Sequence, residues 1–131
     1  MTEPIVVIAA GGTGGHIYPG IALAEHLVQN NKSVVWFGSG SKLEQRILSP
    51  HGWIYETVRA KPLRGTHWCA KLLLPYHVLV GVVCAWRLLR RYKPLYVITT
   101  GGYVSVASTL AARLAGVPVF LCEQNARPGL A

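Results

Sequence analysis

The chain has 131 residues, enough for one domain with its own core, and 51% of them are hydrophobic against 14% charged, which excludes a disordered chain. Thirteen Lys and Arg stand against five Glu and no Asp, a formal net charge of +8 with a pI near 9.8, so the expected partners are anionic. Cys69, Cys84 and Cys122 are odd in number, far apart and without C-x-x-C spacing, and MTEPIVV lacks a secretory n-region; the expectation is a reduced, cytosolic chain with buried thiols.

In chain order, IVVIAA (5–10) is a β-branched run ending in glycines, the pattern of a strand buried on both faces. GGTGG (11–15) follows as a loop. HIYPGIALAEHLVQNN (16–31) then carries Ile17, Ile21, Leu23, Ala24, Leu27 and Val28 near helical spacing, with Pro19 in the first turn and two asparagines at the stop. SVVWFG predicts a second strand, with a Gly/Ser turn at 38–41 and a short helix KLEQRIL closed by Ser49 and Pro50. WIYETV predicts a third.

The stretch from Leu63 to Pro94 is helical in period after its glycine, with Pro75 expected to kink or break it and Pro94 to close it. LYVITT is a fourth strand, GGYVS (101–105) a second glycine loop, VASTLAARLA a helix stopped by Gly116, and VPVFLC a fifth strand. Strands alternating with helices predict an α/β fold, a doubly wound, Rossmann-like parallel sheet with its ligand at the carboxyl ends of the strands. In the common strand order the first and fourth strands are neighbours, so both glycine loops border one crevice.

Glycine turns between a strand and a helix bring backbone N–H groups and the positive end of a helix dipole to an anion, phosphate or pyrophosphate above all. A dinucleotide fingerprint is disfavoured, because Ile17 stands where its third glycine belongs and no acid ends the second strand. A P-loop fails too, with Ile21 in place of the lysine. His16, at the entrance of the first helix, is the candidate general base, the dipole there favouring the neutral form. Glu123, just beyond the fifth strand, has three open roles: base, orienter of His16, or ligand of a sugar hydroxyl. His51, His67 and His77 lack ligand-like partners, so neither metal nor cofactor is assigned.

Between Glu56 and Glu123 there is no acidic residue, while Arg59, Lys61, Arg64, Lys71, Arg87, Arg90, Arg91 and Lys93 fall there. The apolar run from Leu72 to Trp86 is too short to span a bilayer but suits contact with an anionic membrane surface through Lys71, Leu72, Leu73, Leu79, Trp86, Arg87, Arg90 and Arg91. No helix-turn-helix, RRM or OB pattern supports nucleic-acid binding.

GGTGGHIYPGIALAEHL (11–27), LRG (63–65), TGGYVS (100–105) and EQN (123–125) occur in an order and context that resembles the MurG family. The resemblance implies the N-terminal, acceptor half of a GT-B glycosyltransferase of peptidoglycan synthesis, inverting and metal-independent. Such an enzyme moves N-acetylglucosamine from UDP-N-acetylglucosamine to the 4-hydroxyl of the undecaprenyl-pyrophosphoryl muramyl-pentapeptide. It works peripherally at the cytoplasmic face of the bacterial inner membrane, in cell wall biogenesis and so in cell shape and division.

It also makes His16 a candidate general base, places Glu123, the second candidate base, in the cleft motif with Gln124 and Asn125, and implies substrate binding by Thr13, Gly14, Gly15, Gly101, Gly102, Tyr103, Ser105, Gln124 and Asn125. Residues 1–131 are then one acceptor- and membrane-facing domain, incomplete because the family continues past Ala131 into a donor-binding domain, and little transferase activity is expected of the chain alone. The alternative is a non-catalytic, membrane-recruiting subunit of a split glycosyltransferase.

Overall fold

The structure, a computed structural model, describes residues 3–11, 14–58 and 68–122, the side chains of 68–74 excepted. Short apolar runs form a five-stranded, wholly parallel sheet. Strand β1 (Ile5–Ala10) is central, flanked on one side by β2 (Ser33–Gly38) and then β3 (Ile54–Thr57), and on the other by β4 (Tyr96–Gly101) and then β5 (Val119–Leu121). Successive residues of β1 point to opposite faces: Val6, Ile8 and Ala10 join one buried cluster, Val7 and Ala9 the other. Burial on both faces is why the central strands read as unbroken apolar runs rather than as alternating ones.

Helix α1 (Gly14–Gln29) covers the first face with Ile17, Ile21, Ala24 and Leu27, together with Leu48 from the end of α2 (Lys42–Leu48). Helices α3 (Trp68–Tyr92) and α4 (Tyr103–Ala115) cover the second, α3 through Val82, Ala85 and Leu89 and α4 through Val104, Ala107, Ala111 and Ala112. The i, i+3, i+7 spacing of the α3 trio turns one stripe of that helix inward and leaves the opposite stripe unburied.

Three local expectations shift. Helix α1 begins at Gly14, which places Pro19 in the second turn, where it withholds the N–H that would otherwise bond the carbonyl of Gly15. Pro75 does not break α3, whose helical run passes through it. The second glycine loop is shorter than GGYVS, since Gly101 still belongs to β4 and Tyr103 already opens α4. Gly116 does stop α4, its N–H bonding the carbonyls of Ala112 and Arg113. Cys84 and Cys122 are half-exposed rather than buried: Cys84 lies on a partly open side of α3 with its thiol 3.5 Å from the carbonyl of Thr57, and Cys122 follows the last residue of β5. Cys69 lies among the residues whose side chains are not described.

Candidate functional site

The site grows out of one irregularity between β1 and β4. Ala9 pairs with Thr99 but Ala10 pairs with Gly101, so Thr100 is an extra residue in β4, where a bulge re-aims the chain. Thr100 is fully buried and grips His16 twice: its hydroxyl donates to the His16 carbonyl at 2.6 Å, and its own carbonyl oxygen lies 3.1 Å from the ring Nδ1. A carbonyl oxygen only accepts, so the hydrogen of the neutral imidazole sits on Nδ1 and the lone pair on Nε2. His16 is the third residue of α1, and both backbone and ring are set before any ligand arrives.

The wall against that ring is glycine by necessity. Gly101 and Gly102 have φ of +114° and +91°, values that L side chains rarely adopt. A Cβ on Gly101 would also stand 2.8 Å from His16 Cε1 and Nδ1, and one on Gly102 would stand 2.6 Å from the carbonyl oxygen of Gly11. The two glycine turns therefore touch, and the imidazole fills the space between them.

Ser105 braces the second turn from beneath. It is buried, its hydroxyl donating to the Gly101 carbonyl at 2.8 Å and accepting from the Gly101 N–H at 3.0 Å, with the Ala9 carbonyl at 3.3 Å. Those bonds engage the hydroxyl with backbone and join β1, β4 and α4 at one point. Tyr103, half-buried, is the first residue of α4, and Gly14 and Gly15 open α1. The structure thus brings His16, Gly101, Gly102, Tyr103 and Ser105 together at the carboxyl ends of β1 and β4. Thr13, Glu123, Gln124 and Asn125 lie outside the described residues.

Sequence reasoning passed over Thr100. It stood only as the first residue of TGGYVS, with no role assigned, and a position directly before Gly-Gly does not reveal a bulge. Chemically, two helix N-termini side by side offer backbone N–H groups and positive dipole ends to an anion, and Nε2 offers a base beside them.

A second surface lies on α3 and α4. Leu79, Val83, Trp86 and Arg90 follow one another at i, i+4, i+7 and i+11, on a stripe about a quarter turn around the helix from Val82, Ala85 and Leu89. Tyr76, Leu79 and Val83 are exposed, as are Leu110 and Leu114 of α4. Pro75, Val78, Leu79, Val82, Leu110, Arg113 and Leu114 line an open groove of about 660 Å³ between the two helices. Arg87, Arg90 and Arg91 are exposed at the far end of α3, the Arg90 guanidinium 5.0 Å from the centre of the Trp86 ring. The side chains of Lys71, Leu72 and Leu73 lie outside the described residues. Among the described residues, no helix is long and apolar enough to cross a membrane.

Across residues 6–131 the sequence matches the family described as the glycosyltransferase family 28 N-terminal domain. A protein of Shewanella violacea named UDP-N-acetylglucosamine--N-acetylmuramyl-(pentapeptide) pyrophosphoryl-undecaprenol N-acetylglucosamine transferase is 39% identical over 98% of this chain and 35% of its own length. One of the same name from Xylella fastidiosa is 42% identical over 95% of this chain and 34% of its own. The crystal structure of Acinetobacter baumannii MurG superposes with a TM-score of 0.85 at 35% identity, covering 97% of this chain and 37% of that one. The chain spans about a third of the length of the curated relatives it matches.

Proposed function

Because the chain belongs to the glycosyltransferase family 28 N-terminal domain family, we propose that it is the acceptor-binding half of a peptidoglycan glycosyltransferase. The relatives' names give the chemistry: N-acetylglucosamine passes from its UDP carrier to a muramyl-pentapeptide held on undecaprenyl pyrophosphate. The observation that carries the reading is the His16 ring, bonded to Thr100 and set between two touching glycine turns at adjacent helix N-termini. That arrangement suits an anionic, diphosphate-bearing acceptor with a hydroxyl to be deprotonated beside it.

In the proposed reaction Nε2 of His16 takes the proton from the 4-hydroxyl of the muramyl sugar. The freed oxygen pair attacks the anomeric carbon of N-acetylglucosamine from the face opposite the phosphate. The carbon–oxygen bond to the diphosphate breaks, and UDP leaves with its electrons. The N-termini of α1 and α4 hold the acceptor pyrophosphate and fix the distance of its sugar from Nε2. Thr13, Gly14, Gly15, Tyr103, Gln124 and Asn125 are proposed as further substrate contacts, and Glu123 as the alternative base. Ser105 acts by holding the Gly101 turn.

The same reading has the protein held peripherally at the cytoplasmic face of the membrane that carries the lipid acceptor. The exposed apolar stripe of α3, the groove beside α4 and the arginines at the end of α3 support it. Residues 1–131 then form one acceptor- and membrane-facing domain, and UDP-N-acetylglucosamine is bound elsewhere in the complete enzyme.

The test is a titration of the purified chain in mild detergent with a short-chain polyprenyl-pyrophosphoryl muramyl-peptide, with UDP-N-acetylglucosamine and NAD as parallel ligands. Binding of the lipid-linked sugar alone is expected. Tight binding of NAD, or none of the lipid-linked sugar by a folded chain, would overturn the reading.

A further inference from the structure

The sequence SKLE at 41–44 has the spacing of a capping box, and the Ser41 hydroxyl caps α2. The Glu44 N–H donates to the Ser41 hydroxyl at 3.2 Å, and that hydroxyl donates back to the carboxylate at 3.0 Å. A cap of this kind works in open solvent, yet Glu44 is wholly buried. The Ser39 N–H donates to Oε1 at 2.8 Å, the Ser39 hydroxyl contacts Oε2, and the Tyr55 hydroxyl donates to Oε1 at 3.0 Å. Tyr55 in turn accepts the N–H of Gly40 at 2.8 Å. Withdrawing a carboxylate from water costs several kcal/mol unless donors saturate it. Donors from the β2–α2 turn and from β3 do so here, and they fix its position.

What it is fixed against is the exit of β1. A Cβ on Gly11 would lie 3.2 Å from both carboxylate oxygens and 3.1 Å from Val104 Cγ2. On the other side of the same residue, the Gly11 carbonyl leaves no room for a Cβ on Gly102, and Gly101 and Gly102 wall the His16 ring. Contact therefore runs from Glu44 through Gly11 and Gly102 to His16. A helical cap alone would not require that neighbourhood.

We propose that Glu44 is a positioning residue of the cleft, a rear stop that fixes where the first glycine loop leaves the sheet and so sets the gap in which His16 is held. The proposal rests on the reading of that cleft as the acceptor site. It assigns Glu44 no contact with substrate. Its effect reaches the reaction through Gly11, in a close-packed interior that transmits a displacement instead of absorbing it.

The test is a long-range ¹H–¹⁵N spectrum of the 131-residue chain, with His16 assigned from a His16→Gln variant and its two ring nitrogens reporting which one carries the proton. Inorganic pyrophosphate is titrated alongside. Glu44→Gln keeps the size of the side chain but turns an amide group toward donors. Its His16 signature is expected to move from the Nδ1–H form toward a tautomer mixture, with pyrophosphate bound roughly tenfold more weakly. Leu89→Val, in the core of α3 near the opposite end of the sheet, lowers stability without reaching the loop and is expected to leave both readings as in the parent chain.

Glu44→Gln folded with an unchanged His16 signature would overturn the proposal, as would Leu89→Val moving it equally. If Glu44→Gln does not fold, Tyr55→Phe decides by the same signature, since it removes one donor and leaves the carboxylate: a shift supports the proposal and its absence overturns it. The ring spectrum needs no ligand, so failure of the parent chain to bind pyrophosphate would count against the acceptor-site reading and not against the role of Glu44.

Discussion

Nδ1 of His16 lies 3.1 Å from the carbonyl oxygen of Thr100, the residue that the bulge in β4 adds between β1 and the second glycine turn. The bond makes Nε2 the basic nitrogen and stops the ring from turning. In a protein that joins this chain to a donor-binding half, His16→Ala is expected to lower kcat by roughly 10²- to 10⁴-fold with the KM for the lipid acceptor nearly unchanged. A kcat within a factor of about two of the parent would remove His16 from the role of base. Thr100→Val keeps the carbonyl and loses only the hydroxyl bond to the His16 backbone, so a smaller fall in kcat is expected, with about 1 kcal/mol of stability lost in urea unfolding.

Gly101→Ala meets two obstacles at once, a φ of +114° and an imidazole 2.8 Å from the new Cβ. Strain of this kind costs on the order of 1–3 kcal/mol, and relief requires His16 to leave the Thr100 carbonyl. The expected outcome is a lowered urea midpoint together with loss of the Nδ1–H signature of His16. An alanine variant with parent stability and an unmoved ring would show that the turn is looser than its geometry implies.

Burial pushes the Tyr55 hydroxyl well above its ordinary value of 10.0, its bond from the Gly40 N–H opposing the shift and the nearby Glu44 adding to it. The folded chain therefore holds this proton to higher pH than the unfolded chain does. Its contribution is fully present below pH 10 and is lost as pH rises from there toward the raised folded value. Unfolding free energy measured from pH 8 to 11 is expected to fall above pH 10, and Tyr55→Phe to make that fall shallower while costing about 1 kcal/mol at neutral pH. Parallel alkaline curves for the two proteins would exclude Tyr55 as the source.

The layout of the sheet was legible because burial on both faces writes itself as unbroken β-branched runs, and IVVIAA, SVVWFG and LYVITT became three adjacent central strands. His16 and the two glycine turns were legible for the same reason, since the switch in strand order puts β1 beside β4. Thr100 was not, because a bulge is a property of pairing and leaves no mark in one strand's sequence. Glu44 was hidden differently: SKLE explains itself as a cap, and the burial of its carboxylate depends on Tyr55 and Gly11, which reach it only through the fold. Pro75 does not end α3, because a proline costs the helix one N–H bond while the packing of Val82, Ala85 and Leu89 further along offsets that loss.

The stripe of α3 that flanks its sheet-facing side ends in Arg90, with Arg87 and Arg91 beside it, and this ordering gives the membrane reading a signature that plain stickiness lacks. Apolar contact through Leu79, Val83 and Leu114 adds affinity for any bilayer, whereas Arg87, Arg90 and Arg91 distinguish an anionic one. Each cation near an anionic surface contributes about 1 kcal/mol, a factor of about five in partitioning. Arg90→Gln with Arg91→Gln is therefore expected to weaken sedimentation with phosphatidylglycerol vesicles by roughly 25-fold and to leave the weak binding to neutral phosphatidylcholine vesicles unchanged. Leu79→Asp, at the rim of the groove, is expected to weaken both. Equal loss on both lipids from the arginine pair would mean that those residues hold α3 in shape, Arg90 through its stacking on Trp86, and that the anionic leaflet is met elsewhere.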